Sequence, residues 1–454
     1  MDIANEDKQI IIGVVSLGCD KNRVDTEKML FVLKQSGYGI TAKAENADII
    51  IVNTCAFILP ARKESINTIL EMAEYKTKGK CKKLVVTGCL PQKYLEEIKD
   101  EIPEIDCFLG VSQYKNIDKI IAKLLNEDER IIDCSMGEEL SGKERILTTK
   151  QYAYLKIADG CNNKCTYCMI PSIRGKYRSY TIENLACEAE MLVIQGIREL
   201  ILVAQDVTNY GVDLYGRYSI SDLIDRLCMI PGIEKIRLLY CYPERIDDRF
   251  IEMMRSNDKI VKYLDIPIQH ASDRILKLMG RRSTNESLRN LFNKLRTAMP
   301  EIAIRTTFIV GFPTETEEDV NILSRFLYEM KFTNAGFFSY SLEEGTPSAQ
   351  LKKRVKPFDI KKRISIVSHI QAEISKARNK AKVDKIISVT VDELIDKTSK
   401  LYIYKGRTYE NAPDIDGFVE ITSNTKLKVS ETVQVKITGY NEYDLMGETV
   451  SDII

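Results

Sequence analysis

The chain has 454 residues, with 66 Lys and Arg against 66 Asp and Glu and only two His. That length provides for two or three well-cored domains, and the balanced charge excludes a global field drawing the whole surface to nucleic acid or membrane. The start MDIANEDKQI is acidic and polar and reads as no signal peptide, and no apolar run is long enough to span a bilayer, so a cytoplasmic protein is expected.

Ile10–Leu17 is a continuous apolar run of the buried-strand kind, and helical periodicity begins near Val24. Ala47–Thr54 predicts the next strand and a helix follows over about 60–75; Lys83–Gly88 predicts a third, then a helix opening at Pro91, which suits a first turn. Ile105–Gly110 predicts a fourth. Repeated βα units of this length predict a parallel sheet covered by helices on both faces. Twelve cysteines in a reducing compartment argue for metal or catalytic roles rather than disulfides. Cys19, Cys55 and Cys89 follow the first three strands, 36 and 34 residues apart. Open parallel sheets bind ligands beyond the carboxyl ends of their strands, so these thiols can converge on one site. A cysteine is often only a small buried hydrophobe; the periodic placement sets these three apart. Asn22 and Asn53 flank two of them, placed either to orient a ligand or to serve a strand-end turn. Cys81, Cys107, Cys134, Cys187, Cys228 and Cys241 read as packing or surface residues.

The polar stretch 137–150 reads as a linker. Beyond it Tyr154–Tyr180 reads YLKIADGCNNKCTYCMIPSIRGKYRSY, with Cys161, Cys165 and Cys168 spaced CxxxCxxC on a loop past a strand end. A soft thiolate triad suits zinc, copper or an iron–sulfur cluster. Structural zinc wants four closed ligands, and no second pair or nearby histidine supplies the fourth. The βα alternation continues through strand candidates Tyr154–Ile157, Glu199–Ala204, Ile236–Cys241, Tyr263–Ile268, Ile302–Val310 and Ala335–Tyr340. If these close toward a barrel, Gln205, Asp206, Tyr242, Gln269, His270, Gly311–Pro313 and Ser339–Ser341 share one mouth with the cysteine loop. Arg174, Lys176 and Arg178 read as a basic patch beside that loop, fit to neutralise cluster or cofactor charge or simply solvated. Leu351–Lys382 holds 11 Lys and Arg against 2 acids, with Ile364, Val367, Ile370 and Ile374 at helical spacing: a packed closing helix with a basic outer face, open to RNA contact.

The tail alternates in short strands: Lys385–Leu394, Lys400–Tyr409, Asp416–Ile421, Lys426–Ser430 and Glu431–Tyr440, the pattern of a small antiparallel barrel. From Lys382 onward it holds 9 Lys and Arg against 13 Asp and Glu. That sign suits a basic protein partner better than a phosphate backbone, with Asp414, Asp416 and Glu420 as the expected edge of the surface.

CxxxCxxC with Tyr167 before its last cysteine resembles the signature of radical S-adenosylmethionine (SAM) enzymes, and IPSIRGKYRS resembles its methylthiotransferase extension. SLGCDKNRVDTE, NTCAFI and TGCLPQKY resemble the three cysteine motifs of the methylthiotransferase N-terminal domain, with Asp20 and Thr26 where the family usually has proline and serine. VAQDVTNYG, YLDIPIQHAS, RTTFIVGFPTETEED and FSYSLEEGTPSA resemble the RimO-type branch, which modifies a ribosomal protein; Thr314 departs from a common glycine. The tail resembles a TRAM domain. The resemblance implies an N-terminal parallel α/β domain (1–140), a radical SAM partial (βα)6 barrel (147–380) and a TRAM-like substrate-recognition barrel (383–454). It implies two 4Fe-4S clusters, held by Cys161, Cys165 and Cys168 and by Cys19, Cys55 and Cys89, with Tyr167, Gln269 and Arg305 as candidates for holding SAM. The implied reaction adds a methylthio group to the β-carbon of an aspartate in small-subunit ribosomal protein twelve, one SAM supplying methyl and a second the radical, with electrons from a low-potential donor. Methylthiolation of a modified adenosine in tRNA, or a non-catalytic ribosome-associated iron–sulfur protein, are the alternatives.

Overall fold

A computed structural model of the chain describes residues 9–136, 144–398 and 401–450; the first half of the expected linker, 137–143, lies outside the described residues. Three sheets carry the architecture. The first has six parallel strands, β1 (Ile11–Ser16), β2 (Gly39–Thr41), β3 (Ile49–Thr54), β4 (Lys83–Gly88), β5 (Cys107–Leu109) and β6 (Ile131–Asp133), in the order β2-β1-β3-β4-β5-β6. Every residue of β3 is buried, as expected of a central strand covered on both faces. The edge strands β2 and β6 escape sequence reading because three residues are too few to show a period.

The second sheet is also parallel. β7 (Tyr152–Lys156) is followed by the short antiparallel pair β8 (Ala158–Asp159) and β9 (Arg178–Ser179), then by β10 (Glu199–Val203), β11 (Lys235–Leu238), β12 (Ile260–Asp265), β13 (Ala303–Val310) and β14 (Asn334–Ser339). The sheet order β14-β13-β12-β11-β10-β7 gives the six βα units of an open barrel. Its outer face packs on the intervening helices in one large apolar core. On its inner face Val24 from the helix Asp20–Gln35 and Ala412 from the tail pack among Tyr152, Tyr154, Ile201, Val203 and Tyr263. The helix Pro357–Lys380 opens on its proline and buries Val367, Ile370 and Ile374.

The tail forms a closed barrel of β15 (Ile386–Lys397), β16 (Tyr402–Arg407), β17 (Val419–Ser423), β18 (Thr432–Tyr440) and β19 (Leu445–Thr449), ordered β15-β16-β17-β19-β18. Two details correct the sequence reading. Lys426–Ser430 is a connection, bent by the left-handed Ser430 (φ +74) and held by Leu427 N–H to the Tyr404 hydroxyl (2.9 Å). The fifth strand is instead Leu445–Thr449, whose Gly447 lies so close to β18 that a Cβ would sit 2.5 Å from Lys436 O; it pairs parallel with β17, so the barrel is not wholly antiparallel.

Buried charge joins the parts. Glu199, at the start of β10, accepts from Arg237 (3.0 Å) and from Arg407 on β16 (2.6 Å). Lys28 pairs with Glu188 (2.9 Å) across the first and second sheets' helices. Asp414 and Asp416 are not the free acidic edge expected from sequence. Asp416 is buried, accepting from Tyr263 (2.7 Å) and facing Arg305 (3.3 Å); Asp414 accepts from Tyr152 (2.5 Å) and Arg23 (3.0 Å). The loop carrying them is inserted into the second sheet, where their carboxylates meet cations that sequence spacing does not reveal.

Candidate active site

Cys19, Cys55 and Cys89 stand at the carboxyl ends of β1, β3 and β4, three neighbouring strands. Cys19 caps the helix Asp20–Gln35 and Cys89 begins the helix Cys89–Ile98, so both cysteines lie at helix N-termini. The loop after β1 is built for close approach. Gly18 has φ +85, and a Cβ on it would fall 2.6 Å from Cys55 Cβ and 2.9 Å from its sulfur. Asn22 donates to Leu17 O (3.1 Å) and Thr54 O (2.9 Å), while Asn53 donates to Asn22 O (3.1 Å) and Thr26 (2.9 Å). Each Asn therefore fixes backbone next to a cysteine and holds it in register. Burial pushes the Cys89 thiol up to about 12, against the pull of the Arg174 guanidinium.

The second thiol set lies on the loop between β8 and β9. Gly160 (φ +74) leaves no room for a side chain against Lys176 O, and Cys161 N–H closes the loop on Gly175 O (3.1 Å). Asn163 N–H points at the Cys161 sulfur (3.4 Å). Tyr242 OH lies 3.5 Å from the Cys165 sulfur and Arg281 Nη1 3.9 Å, with the Arg281 guanidinium stacked on the Tyr242 ring at 3.8 Å. Burial raises Cys161 to about 11 and Cys168 to about 12.

All twelve cysteines are free. Among the described residues no three His, Cys, Asp or Glu side chains converge closely enough for a single metal ion. Donor sets of thiols alone, met by backbone N–H groups and arginines, fit a larger sulfide cluster, whose net negative charge such donors stabilise.

Arg174 stands between the two sets. From sequence, Arg174 reads with Lys176 and Arg178 as a basic patch, either neutralising cluster or cofactor charge or solvated; in the structure it is buried, because the helix Ile170–Arg174 turns it inward. It bonds Asp159 (2.7 Å), two residues before Cys161, and Asn22 (2.6 Å), three after Cys19, and faces Asp25 (3.3 Å). Lys156 contacts the same two carboxylates, Asp25 at 2.5 Å and Asp159 at 3.2 Å. Despite the burial that would lower it, Arg174 is held well above its ordinary value by Asp159 and its neighbours.

Tyr167 lies beside Cys165 and packs with Ile275, Met279 and Phe312. Gln269 takes a left-handed backbone (φ +75) past the end of β12, bridging Thr307 O and Ile309 N through its main chain. Arg305 makes its contacts with Asp265 (2.9 Å) and Asp416 rather than with either thiol set. His270 is fully buried: Nδ1 accepts from Ala271 and Ser272 N–H (both 2.9 Å) and Nε2 faces Glu315 at 3.5 Å, so it braces the turn rather than the rim. Residues the sequence did not single out include Arg281, whose GRR context looks like a solvated charge run, and Lys21. The Lys21 ammonium sits 3.3 Å above the Tyr240 ring and pairs with Asp20 (3.1 Å), next to Cys19.

Three family models match the chain: Uncharacterized protein family UPF0004 over residues 12–110, the Radical SAM superfamily over 155–327 and the TRAM domain over 385–450. The ribosomal protein uS12 methylthiotransferase RimO of Acetivibrio thermocellus is 48% identical over 450 residues, covering 97% of this chain and 98% of its own. That of Clostridium botulinum is 49% identical, covering 96% and 97%. Among solved structures, the radical SAM methyltransferase TsrM of Kitasatospora setae superposes with a TM-score of 0.53 at 13% identity, over 74% of this chain and 73% of its own, a likeness of fold.

Proposed function

Since this chain belongs to the family of ribosomal protein uS12 methylthiotransferases, the RimO family, we propose that it adds a methylthio group to the β-carbon of an aspartate in uS12, using SAM and two 4Fe-4S clusters. The observation that carries the reading is the pairing of two three-thiol sets, on different sheets, across one buried bridge of Arg174, Asp25 and Asp159. When bound, the cluster at the Cys161 loop supplies the electron that cleaves SAM to a carbon radical, and the one at Cys19, Cys55 and Cys89 supplies the sulfur.

The chain's own residues keep these tasks apart and adjacent. Cys161, Cys165 and Cys168 hold one group; Arg281 and Tyr242 place positive charge and a hydroxyl at the Cys165 side of it. Cys19, Cys55 and Cys89 hold the other, with Arg174 as its buried cation. Lys21, Asp20 and Tyr240 lie next to Cys19, where an aspartate substrate has to approach, and Lys21 is the cation there that can receive a carboxylate. Tyr167 and Gln269 are our candidates for contacting SAM. A basic ribosomal substrate and a low-potential donor are the partners, in the cytoplasm.

The test is mass spectrometry of uS12 after incubation with reconstituted enzyme, SAM and a strong reductant. A gain matching SCH₃ in place of hydrogen on an aspartate peptide is expected. Deoxyadenosine release without that gain refutes the substrate, and its absence from a protein carrying its clusters refutes the chemistry. In the same assay Cys89→Ala should abolish the gain yet leave SAM cleavage measurable.

A further inference from the structure

The Cys161–Cys168 loop is bordered by segments rich in cations. Thr166, inside the loop, donates its N–H to Met279 O (3.0 Å) and its hydroxyl to Leu278 O (2.7 Å), and its carbonyl accepts Ser348 N–H (3.0 Å). Leu351 packs with Tyr167 and Leu278 in one apolar cluster. Segments 273–283 and 344–358 therefore meet at the loop. With residues 161–168 they hold nine Lys and Arg against two acids, Asp273 and Glu344, in a chain whose charges balance as a whole. Two of these cations bond inward, Arg281 toward Cys165 and Arg274 toward Asp319 and Thr314. Lys164, Lys277, Arg282, Lys352, Lys353, Arg354 and Lys356 are exposed, and among the described residues none of the seven is in an ion pair. Phe358 stands 77% exposed at the edge of this patch. One of the two acids, Asp273, is occupied by Asn285 N–H (2.6 Å).

Such a rim repels a basic protein substrate, so it does not serve that partner. What it surrounds is the one group in the proposed reaction that needs an electron from outside the chain. We propose that this rim docks an acidic, low-potential one-electron carrier protein; the inference rests on the radical reading of the Cys161 loop. One electron leaves the reduced carrier and enters the group held by Cys161, Cys165 and Cys168; the carrier ends one electron more oxidised, and no atom or proton moves. Opposed charge steers such encounters and speeds association, while the interface itself stays small and short-lived, as electron-transfer contacts are. The exposed Phe358 adds an apolar contact beside the cations without demanding a tight fit.

The test uses the full chain with flavodoxin, in its reduced form, as the acidic probe. Lys352→Glu, Lys353→Glu and Arg354→Glu combined should weaken flavodoxin binding by about tenfold at low salt, measured by titration on cluster-free and on reconstituted protein. Flavodoxin-driven deoxyadenosine release should fall alike, wild-type rates should drop toward the variant's as salt is raised, and dithionite-driven release should not change, because a small reductant needs no docking. Flavodoxin binding equal to wild type overturns the proposal. Loss of small-subunit ribosomal RNA binding with flavodoxin binding intact also overturns it, and assigns the rim to RNA. Absence of deoxyadenosine with dithionite in the wild type refutes the proposed chemistry instead, while the titration still decides the surface.

Discussion

Arg174→Met removes the cation that joins the two thiol sets, and the consequence can be worked from its contacts. Wild-type Arg174 and Lys156 face Asp25 and Asp159, two charges of each sign, all buried. Methionine fills similar volume, so the loss is electrostatic: one carboxylate is left without a counter-charge, and the Asn22 side-chain amide oxygen loses its donor at 2.6 Å. Breaking a buried pair from one side costs roughly 3–5 kcal/mol. Lys156 still reaches both acids, so the lower end of that range, about 3 kcal/mol, is expected. The chain has 22 Tyr and no Trp, so urea unfolding is followed by tyrosine fluorescence and far-UV circular dichroism. Adding Asp159→Asn, which restores charge balance, should recover a large part of the loss. A single variant within about 1 kcal/mol of wild type, or a double variant no better than the single, would refute the bridge as an electrostatic unit. In the folded fraction of reconstituted protein, the midpoint potential of the group held by Cys19, Cys55 and Cys89 should move while that of the Cys161-loop group moves less, a readout that packing alone would not shift.

Gly18→Ala drives a methyl into Cys55 and also strains a left-handed backbone, so iron bound after reconstitution should fall to about half, with deoxyadenosine release retained; full iron loading contradicts the cradle. Burial alone would raise Glu199, but Arg407 and Arg237 overcome it and hold its carboxyl at about 2 against an ordinary 4.5. Its contribution is therefore complete above pH 4.5 and lost as pH falls toward 2, roughly 3 kcal/mol in all; Glu199→Gln should flatten the acid limb of the melting curve, and an unchanged limb contradicts this. Asp416→Ala leaves Tyr263 and Arg305 short of an acceptor, at about 3 kcal/mol, and should expose the loop 408–417 to proteolysis while the remaining sheets stay protected.

Legibility followed period and chemistry. Long apolar strands such as Lys83–Gly88 and Glu199–Val203 were readable because burial on both faces demands continuous β-branched and aliphatic residues. The grouping of the six cysteines into two sets was readable because three recur at successive strand ends and three crowd onto one short loop. What resisted reading was anything set by contacts between distant parts. Arg174 sits in a run of cations and looks solvated until the helix Ile170–Arg174 turns it onto Asp25, 149 residues earlier. Asp416 looks like a surface acid until its loop enters the second sheet. Lys426–Ser430 has a strand's composition, but Ser430's left-handed backbone decides otherwise.

The backbone outliers lie where, in the proposed reaction, the two thiol sets share a substrate. Tyr240 (φ +58) and Gln269 (φ +75) both follow strands of the second sheet, and a left-handed backbone at a bulky residue costs on the order of 1–3 kcal/mol and persists only where its surroundings over-determine it. At Tyr240 the determinants are visible. Its N–H is fixed by Asp265 (3.1 Å), its carbonyl by Val207 N–H (3.1 Å), and its hydroxyl reaches Asp20 (3.3 Å) beneath Lys21. The strain thus aims an aromatic from the sheet that carries the Cys161 loop at the residue after Cys19, on the sheet that carries the other thiols. In the proposed reaction a carbon radical is made at one thiol set and trapped by sulfur at the other, which requires both to address one small volume. Two sheets achieve that only if side chains from each lock the other in place, and Tyr240 with Asp20 and Arg174 with Asn22 are two such contacts beside the cysteines.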